Sequence, residues 1–403
     1  MTGETPFAAQ SRPFEDAEPA LSQSLEALAA RAMASYAHTC AAAFGAWIFH
    51  LASDVDAPCR DFLQHLSGDP EARPGALSYD ISYDVNDRLA AQVRRFCERH
   101  GAAVLVKEDY RYRTARTGSV TLFASDFPEE EPPHVLVQAH GRSRIVVAST
   151  SAPARRAPLR VAREVLLRGC EDQSAGILVH GAVVDLHGQG ILITGDGGAG
   201  KTSTMWRLIR ASGGDYVSND RCIISLVGSR LECVSYPLAV RFGAGFIKSD
   251  PMWPRIAAAA RHRDQVAGVT RSLVGEPSEV DSWANVNKLE LTPAELADLA
   301  QCRVVSRSEV KSVVYVNLGP NGQAPAVHPI SRADASSILR RNIFAPGSTE
   351  YQRPWLGLVQ PDRKALVAQA ERLHRSLLAL PSICLAGDPR QGPVPVSQIG
   401  FGV

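Results

Sequence analysis

The sequence predicts an α/β fold in two parts, an α+β domain at the N-terminus and a larger core whose strands and helices alternate around a glycine-rich loop. Three observations predict it. From Gly176 onward the texture runs strand, turn, strand, glycine loop, helix, strand, in "GILVHGAVVDL", "GQGILITG", "KTSTMWRLIRAS" and "DYVSNDRCIISLV". Earlier in the chain, "AAVLVKEDYRYRTA", "GSVTLFASDF", "HVLVQAH" and "SRIVVAST" are short, β-branched and aromatic, with turn residues between them. The length of 403 residues leaves room for two or three units of roughly 100 to 200 residues each.

Composition narrows the function classes. The chain is 45% hydrophobic and 21% charged, and its 43 basic and 42 acidic residues leave a formal net charge of +1. Such a balance speaks against a nucleic-acid partner bound through bulk charge. The cysteines at 40, 59, 97, 170, 222, 233, 302 and 384 form no C-x-x-C pair and no cluster with His at metal-ligand spacing, so reduced thiols in a cytoplasmic protein are expected rather than zinc. The opening "MTGETPFAAQSRPFEDAEP" is acidic and Pro-rich, unlike a signal peptide. Ala32 to Ser53 carries no formal charge, but it contains His38, Thr39 and His50 and lacks a basic anchor. That content predicts a buried or interfacial helix and no membrane partner.

In chain order, residues 1–20 read as a flexible leader, and 18–66 as one or two Ala/Leu-rich helices. With the β-rich segments that follow the breaker cluster "SGDPEARPGA", they make an N-terminal α+β domain over 21–155. The run "SAPARRAPLRVAREVLLRGCEDQ" is a Pro-marked linker and a helix that opens the core, residues 156–403. A basic insertion over 243–285, with Lys248, Arg255, Arg261, Arg263 and Arg271, has the length and placement of a lid. Beyond it, "NKLELTPAELADLA" reads as a strand and a Pro-started helix, "SVVYVNL" as a strand, and "ADASSILRRNIF" and "RKALVAQAERLHRSLLAL" as helices.

The glycine loop fits G-x-x-x-x-G-K-[ST] through Gly195, Gly200, Lys201 and Thr202, a pattern that a chain of this length meets by accident only about 1% of the time. The strand "ILIT" before it and the helix "TSTMWRLIR" after it complete the required setting. Glycines free backbone N–H groups to curl around phosphate oxygens, so Gly195, Asp196, Gly197, Gly198, Ala199, Gly200, Lys201, Thr202 and Ser203 form the expected binding segment. Lys201 would neutralise the β- and γ-phosphates of ATP or GTP, and the Thr202 hydroxyl would hold Mg²⁺. Asp220, some twenty residues on, would bind the same metal or take a proton. His180, at the edge of a loop before an apolar run, would line the acceptor side. Arg241, Arg271 and Lys288 are candidates for stabilising charge on a transferred group.

The segment from His180-Gly181 to Lys201-Thr202, with "VVDLHGQGILITGD" between, resembles the HPr kinase/phosphorylase family. There a His-Gly precedes a hairpin that runs into a Gly-Asp-x-Gly-x-Gly-Lys-[Ser/Thr] loop. The resemblance implies a P-loop core of the HPr-kinase/phosphoenolpyruvate-carboxykinase kind with an added N-terminal α+β domain. Three departures stand out. The family's Ala-Asp-Asp is Ser218-Asn219-Asp220 here, its glutamate after the loop is Ser203, and its Arg-Gly-Leu-Gly type signature loop has no counterpart after Asp220. Divergent relatives resemble tailoring kinases of peptide natural products. What is implied is an ATP- and Mg²⁺-dependent kinase, possible as a homo-oligomer, that phosphorylates a hydroxyl of a peptide or small molecule in a biosynthetic or tailoring pathway. The alternative is a nucleotide-gated binding or regulatory protein without an acceptor. A carboxykinase-like enzyme would need a second metal site of His, Lys and Asp, which the sequence does not assemble.

Overall fold

The computed structural model describes residues 19–66, 76–107, 110–126, 132–139, 142–147, 154, 156–243, 246, 250–259, 288–348, 351, 353–358 and 362–399. It is mixed α/β, as expected. The first part runs α1 (Pro19–Ala30), β1 (His38–Phe44), β2 (Trp47–Ser53), α2 (Asp56–Leu66), β3 (Leu77–Val85), α3 (Asp87–His100), β4 (Ala102–Lys107), β5 (Tyr110–Thr117), β6 (Val120–Asp126), β7 (His134–Ala139) and β8 (Arg142–Val147). These strands form one eight-stranded sheet in the order β1-β2-β3-β8-β7-β6-β5-β4. Helix α3 starts where the Asn86 side chain accepts the Leu89 N–H. Its buried Leu89, Val93, Phe96 and Cys97 recur at helical spacing and pack with Leu122, Val135 and Val146 on one face of the sheet.

The charge-free stretch Ala32–Ser53, expected as a helix, is mostly the β1–β2 hairpin, in register from His38↔Ser53 to Phe44↔Trp47 around a two-residue Gly45-Ala46 turn. Packing overrides the helix propensity of its alanines. Phe44, Phe49 and Leu51 are buried in the core beneath the sheet. The Trp47 indole rests against α4 (Ala157–Ser174) where Gly169 has no side chain, and a Cβ there would come within 2.6 Å of the ring. The missing charges reflect burial in a sheet, and no helix among the described residues is long and apolar enough to cross a membrane. Of the expected leader, residues 1–18 lie outside the described residues, while 19 and 20 already belong to α1.

Helix α4 joins the two parts. One continuous core takes Phe49, Ile81 and Leu136 from the first sheet, Val161, Val165 and Leu166 from α4, and Ile223, Val234 and Tyr236 from the second. Within that apolar layer lies a buried ion cluster. Arg168 donates to Glu164 at 3.0 Å and Glu171 at 2.7 Å, and both Arg168 and Glu171 bond the Tyr351 hydroxyl.

The second part continues with β9 (Ile177–Val179), β10 (Gly181–Leu186), β11 (Gln189–Thr194), α5 (Lys201–Ser212), β12 (Asp215–Ser218), β13 (Cys222–Val227), β14 (Arg230–Ser235), β15 (Val240–Gly243), α6 (Trp253–Ala259), β16 (Lys288–Leu291), α7 (Pro293–Ala300), β17 (Arg307–Leu318), β18 (Ala326–His328), α8 (Arg332–Asn342), β19 (Ile343–Phe344), α9 (Arg363–Leu377) and β20 (Ser382–Gly387). A ten-stranded sheet follows the path β12-β10-β11-β17-β14-β13-β9-β19, with β20 on β17 and β18 on β20. β17 is its spine. Its first residues pair antiparallel with β14, and its later ones run parallel to β11 on one side and to β20 on the other. The apolar faces of α5 and α7 cover one side of the sheet, and those of α8 and α9 the other. The expected Pro-started helix is α7, capped by a reciprocal Thr292/Glu295 box. "GILVHGAVVDL" is not one strand but two, broken at His180. The lid expected over 243–285 falls mainly on residues outside the described ones, Lys248, Arg261, Arg263 and Arg271 among them.

Removing Arg168 would leave two buried carboxylates without their cation. Arg168→Ala is expected to lower stability by about 3–5 kcal/mol in urea denaturation. Arg168→Met combined with Glu164→Gln and Glu171→Gln is expected to recover most of that loss.

Candidate phosphate-binding site

Strand β11 delivers the chain to the loop, and the end of β17 supports it from below. A Cβ on Gly195 would lie 2.3 Å from the Val316 carbonyl oxygen, so no other residue fits at that crossing. At the far end Gly200 adopts φ +93°, and a Cβ there would press on Leu318 at 3.0 Å. The loop is tied to the strand by the Leu318 N–H, which donates to the Ala199 carbonyl at 2.9 Å. Helix α5 begins at Lys201 with no side-chain cap, so its first N–H groups and the positive end of its dipole face the loop mouth. This is an anion-binding geometry.

Lys201 is buried, and its Nζ donates to the carbonyl oxygens of Gly195 at 2.8 Å and Asp196 at 2.9 Å. Burial pushes its pKa down to about 8, against the pull of Asp220 and Asp196 and with help from Lys288. The ammonium is thus held in a place that an arriving phosphate would stabilise. The Thr202 hydroxyl donates to Oδ1 of Asn219 at 3.0 Å, and Asn219 is buried. Ser203 bonds back to the Gly200 carbonyl at 3.0 Å, within the first helical turn.

The turn between β12 and β13 presents Asp220. The Arg221 N–H donates to the Asn219 carbonyl at 2.8 Å across Asp220, whose φ is +65°, a γ-turn conformation that L-residues rarely adopt. Ser218 holds this turn, since its hydroxyl donates to the Arg221 carbonyl at 2.5 Å and accepts the Tyr236 N–H at 3.1 Å. The Asp220 carboxylate is 56% exposed and lies 3.5 Å from Nε2 of His180, an ion pair when the imidazole is protonated. Burial works to raise its pKa, but His180, Arg221 and Lys201 outweigh it and hold the group at about 2. The His180 ring stacks on Phe344 at 6.0 Å, and its backbone is fixed by the Asn342 carbonyl and the Thr194 hydroxyl.

The structure therefore brings together the expected loop residues from Gly195 to Ser203 with His180 and Asp220, and puts Lys288 within electrostatic reach of Lys201. Arg241 is engaged elsewhere, with Glu290 at 2.7 Å, and Arg271 lies outside the described residues. Sequence reasoning missed Arg341. From the last turn of α8 its guanidinium grips the Asp196 carboxylate with both arms, at 3.0 and 3.1 Å, and the Ser337 hydroxyl supports it at 2.8 Å. The only trace of this in the sequence is an arginine pair inside a predicted helix. Nor did the sequence show that Asn219, standing where a carboxylate was expected, would bond Thr202. Among the described residues no group of three or more His, Cys, Asp or Glu could hold a metal ion. The Thr202 hydroxyl, the Asn219 amide oxygen and the Asp220 carboxylate are hard oxygen donors, which suits a cation that takes its remaining ligands from phosphate and water.

Comparison with known proteins agrees with the resemblance read from the loop. The chain is 29% identical over 136 residues to an HPr kinase/phosphorylase of Levilactobacillus brevis, a match covering 30% of this chain and 42% of the relative. It is 30% identical over 134 residues to that of Lactiplantibacillus plantarum, covering 29% and 41%. The matches thus span less than half the length of these curated relatives. No protein-family model matches the chain. The solved structure of the Hpr(Ser) kinase/phosphatase from Coxiella burnetii aligns over 38% of this chain and 77% of that one, at 13% identity and a TM-score of 0.19, too low to carry a fold argument. The chain is HPr-kinase-like, at a distance.

Phosphate bound beside Lys201 would raise its pKa again, so affinity and protonation are linked. Affinity for ADP is expected to be level below about pH 8 and to fall by up to tenfold per pH unit above it, where the free protein has lost the proton. Calorimetric titrations between about pH 7 and 9.5 check this. Lys201→Met is expected to weaken binding and flatten the profile.

Proposed function

We propose that this chain is an HPr-kinase-like phosphotransferase that moves the γ-phosphoryl group of ATP, with Mg²⁺, to a hydroxyl of a peptide or small-metabolite acceptor in a tailoring or biosynthetic step. One observation carries the reading: Lys201, the Thr202–Asn219 pair and the Asp220–His180 pair converge on the mouth of one amide-lined loop. The relatives' name points the same way, toward a kinase.

Phosphoryl transfer asks a protein mainly for positioning and charge neutralisation. The loop amides and Lys201 hold the β- and γ-phosphates. Thr202, Asn219 and Asp220 are the residues that would hold Mg²⁺, whose charge would offset that of the phosphates. The acceptor oxygen attacks the γ-phosphorus as the bond to the β-bridging oxygen breaks, and ADP leaves with that electron pair. Asp220 orients the hydroxyl and accepts its proton. A carboxylate held near 2 is a weak base, which is adequate because a loose transition state leaves most of the proton transfer until the new O–P bond is nearly complete. His180 steadies the carboxylate. Arg341, already at the loop mouth, is better placed than Arg241 to stabilise charge on the transferred group.

With γ-labelled ATP and candidate peptide and metabolite acceptors, label is expected on the acceptor. Asp220→Asn should lower transfer by about 10²–10⁴-fold while ADP binding persists, and Arg341→Ala should lower turnover more than it weakens ADP binding. Label released only as free phosphate would sink the transfer reading in favour of a nucleotide-gated protein. Undiminished transfer in Asp220→Asn would remove Asp220 as the base.

A further inference from the structure

Beside Asp220 lies a group of arginines that the loop does not use. Arg156, Arg160 and Arg163 stand at i, i+4 and i+7 on one face of the start of α4, whose first turn has no side-chain cap. Across from them is Arg221, the residue after Asp220, its guanidinium carbon 5.7 Å from the Phe344 ring on which His180 stacks. Tyr236 lies among them, bonded through Ser218 to the Asp220 turn. Arg156 is paired with Glu290 at 3.0 Å, and Arg160 reaches the Tyr112 hydroxyl at 3.4 Å. Arg163 and Arg221 differ. Among the described residues neither bonds a carboxylate, and Arg163 donates only to the Leu159 carbonyl of its own helix, at 3.0 Å. Burial lowers the Arg163 pKa to about 10, with Tyr236 opposing and Arg160, Arg156 and Arg221 adding to the shift.

Like charges gathered in a half-buried place oppose folding unless an anion joins them. Among the described residues the carboxylates nearby are already engaged, Glu290 by Arg156 and Arg241, and Asp220 by His180, with Arg221 beside it. Guanidinium forks match carboxylate and phosphate groups in shape as well as charge. We infer that Arg163 and Arg221, backed by Arg160, form a second anion site beside Asp220 that takes a carboxylate or phosphate group carried by the acceptor. The acceptor is then an anionic hydroxy compound, anchored by its charge while its hydroxyl meets Asp220. Its assignment to the acceptor rests on the transfer reading above; the anion site itself does not.

The test uses the full chain saturated with Mg²⁺ and AMP-PNP, so that the loop is filled. Inorganic phosphate and malonate are titrated separately by calorimetry, to tell a phosphate-bearing from a carboxylate-bearing acceptor. At least one is expected to bind at a single further site. Arg221→Ala and Arg163→Met should each weaken it tenfold or more, with Arg221→Lys intermediate, while AMP-PNP affinity stays within about twofold. If neither anion binds the loaded protein, or binding is unchanged in Arg221→Ala, the inference is wrong. Because Arg163 lies in a packed helix, retained AMP-PNP affinity shows that its variant is folded, and Arg221→Ala decides if it is not. Failure of AMP-PNP to bind the unaltered chain would overturn the nucleotide reading instead. In that case phosphate binding lost in Arg221→Ala and kept in Lys201→Ala still supports the anion site, and the reverse pattern overturns it.

Discussion

The site depends on the crossing of the glycine loop over the end of β17. That strand is wedged between β11 and β20 and also holds β14, so its C-terminal carbonyls cannot move away from the loop. The Val316 oxygen excludes any Cβ at Gly195, and the Leu318 side chain fills the space beside Gly200. Held from below and bonded to Leu318 through Ala199, the loop is fixed in shape before any ligand arrives. This is preorganisation, set by the register of a buried strand far along the chain.

Around that loop the charges are balanced in pairs. Asp196 holds Arg341, Asp220 faces His180, and Lys201 caps two loop carbonyls. Arg341 and Lys201 are thereby kept at the mouth without a phosphate. The positive φ of Asp220 stores of order 1–3 kcal/mol of strain to aim its carboxylate at the same place. Strain here is sustained by Ser218, which bonds both sides of the turn, and by the packed core under Tyr236.

Much of the site was legible because its chemistry is local. The loop pattern from Gly195 to Thr202, the strand before it and the helix after it are neighbours in sequence, and the His-Gly ahead of the hairpin pointed to the same relatives that comparison finds. Asp220 was within reach as the carboxylate at the end of the strand-like segment that follows the loop helix. Arg341 was not, because it is 145 residues from its partner Asp196 and nothing in "ILRRNIF" distinguishes it from a solvated surface arginine. The same limit hid the arginines of α4, which read as one amphipathic helix until Arg221 and Tyr236 are set against them. It also hid the β1–β2 hairpin, since charge-free alanines fit a buried helix and a buried strand equally well. Burial of Phe44, Phe49 and Leu51 in the core, with Trp47 set against Gly169, decides between them.

By itself, then, the sequence determined an α/β chain with a glycine-rich loop between a strand and a helix, because glycine spacing and hydrophobic period act over a few residues. The tertiary structure alone decided which distant charges meet there. Pairings such as Asp196 with Arg341 and Thr202 with Asn219 arise from the order and register of strands. No local pattern of residue types encodes those, because they are set by how the faces of sheet and helix bury one another.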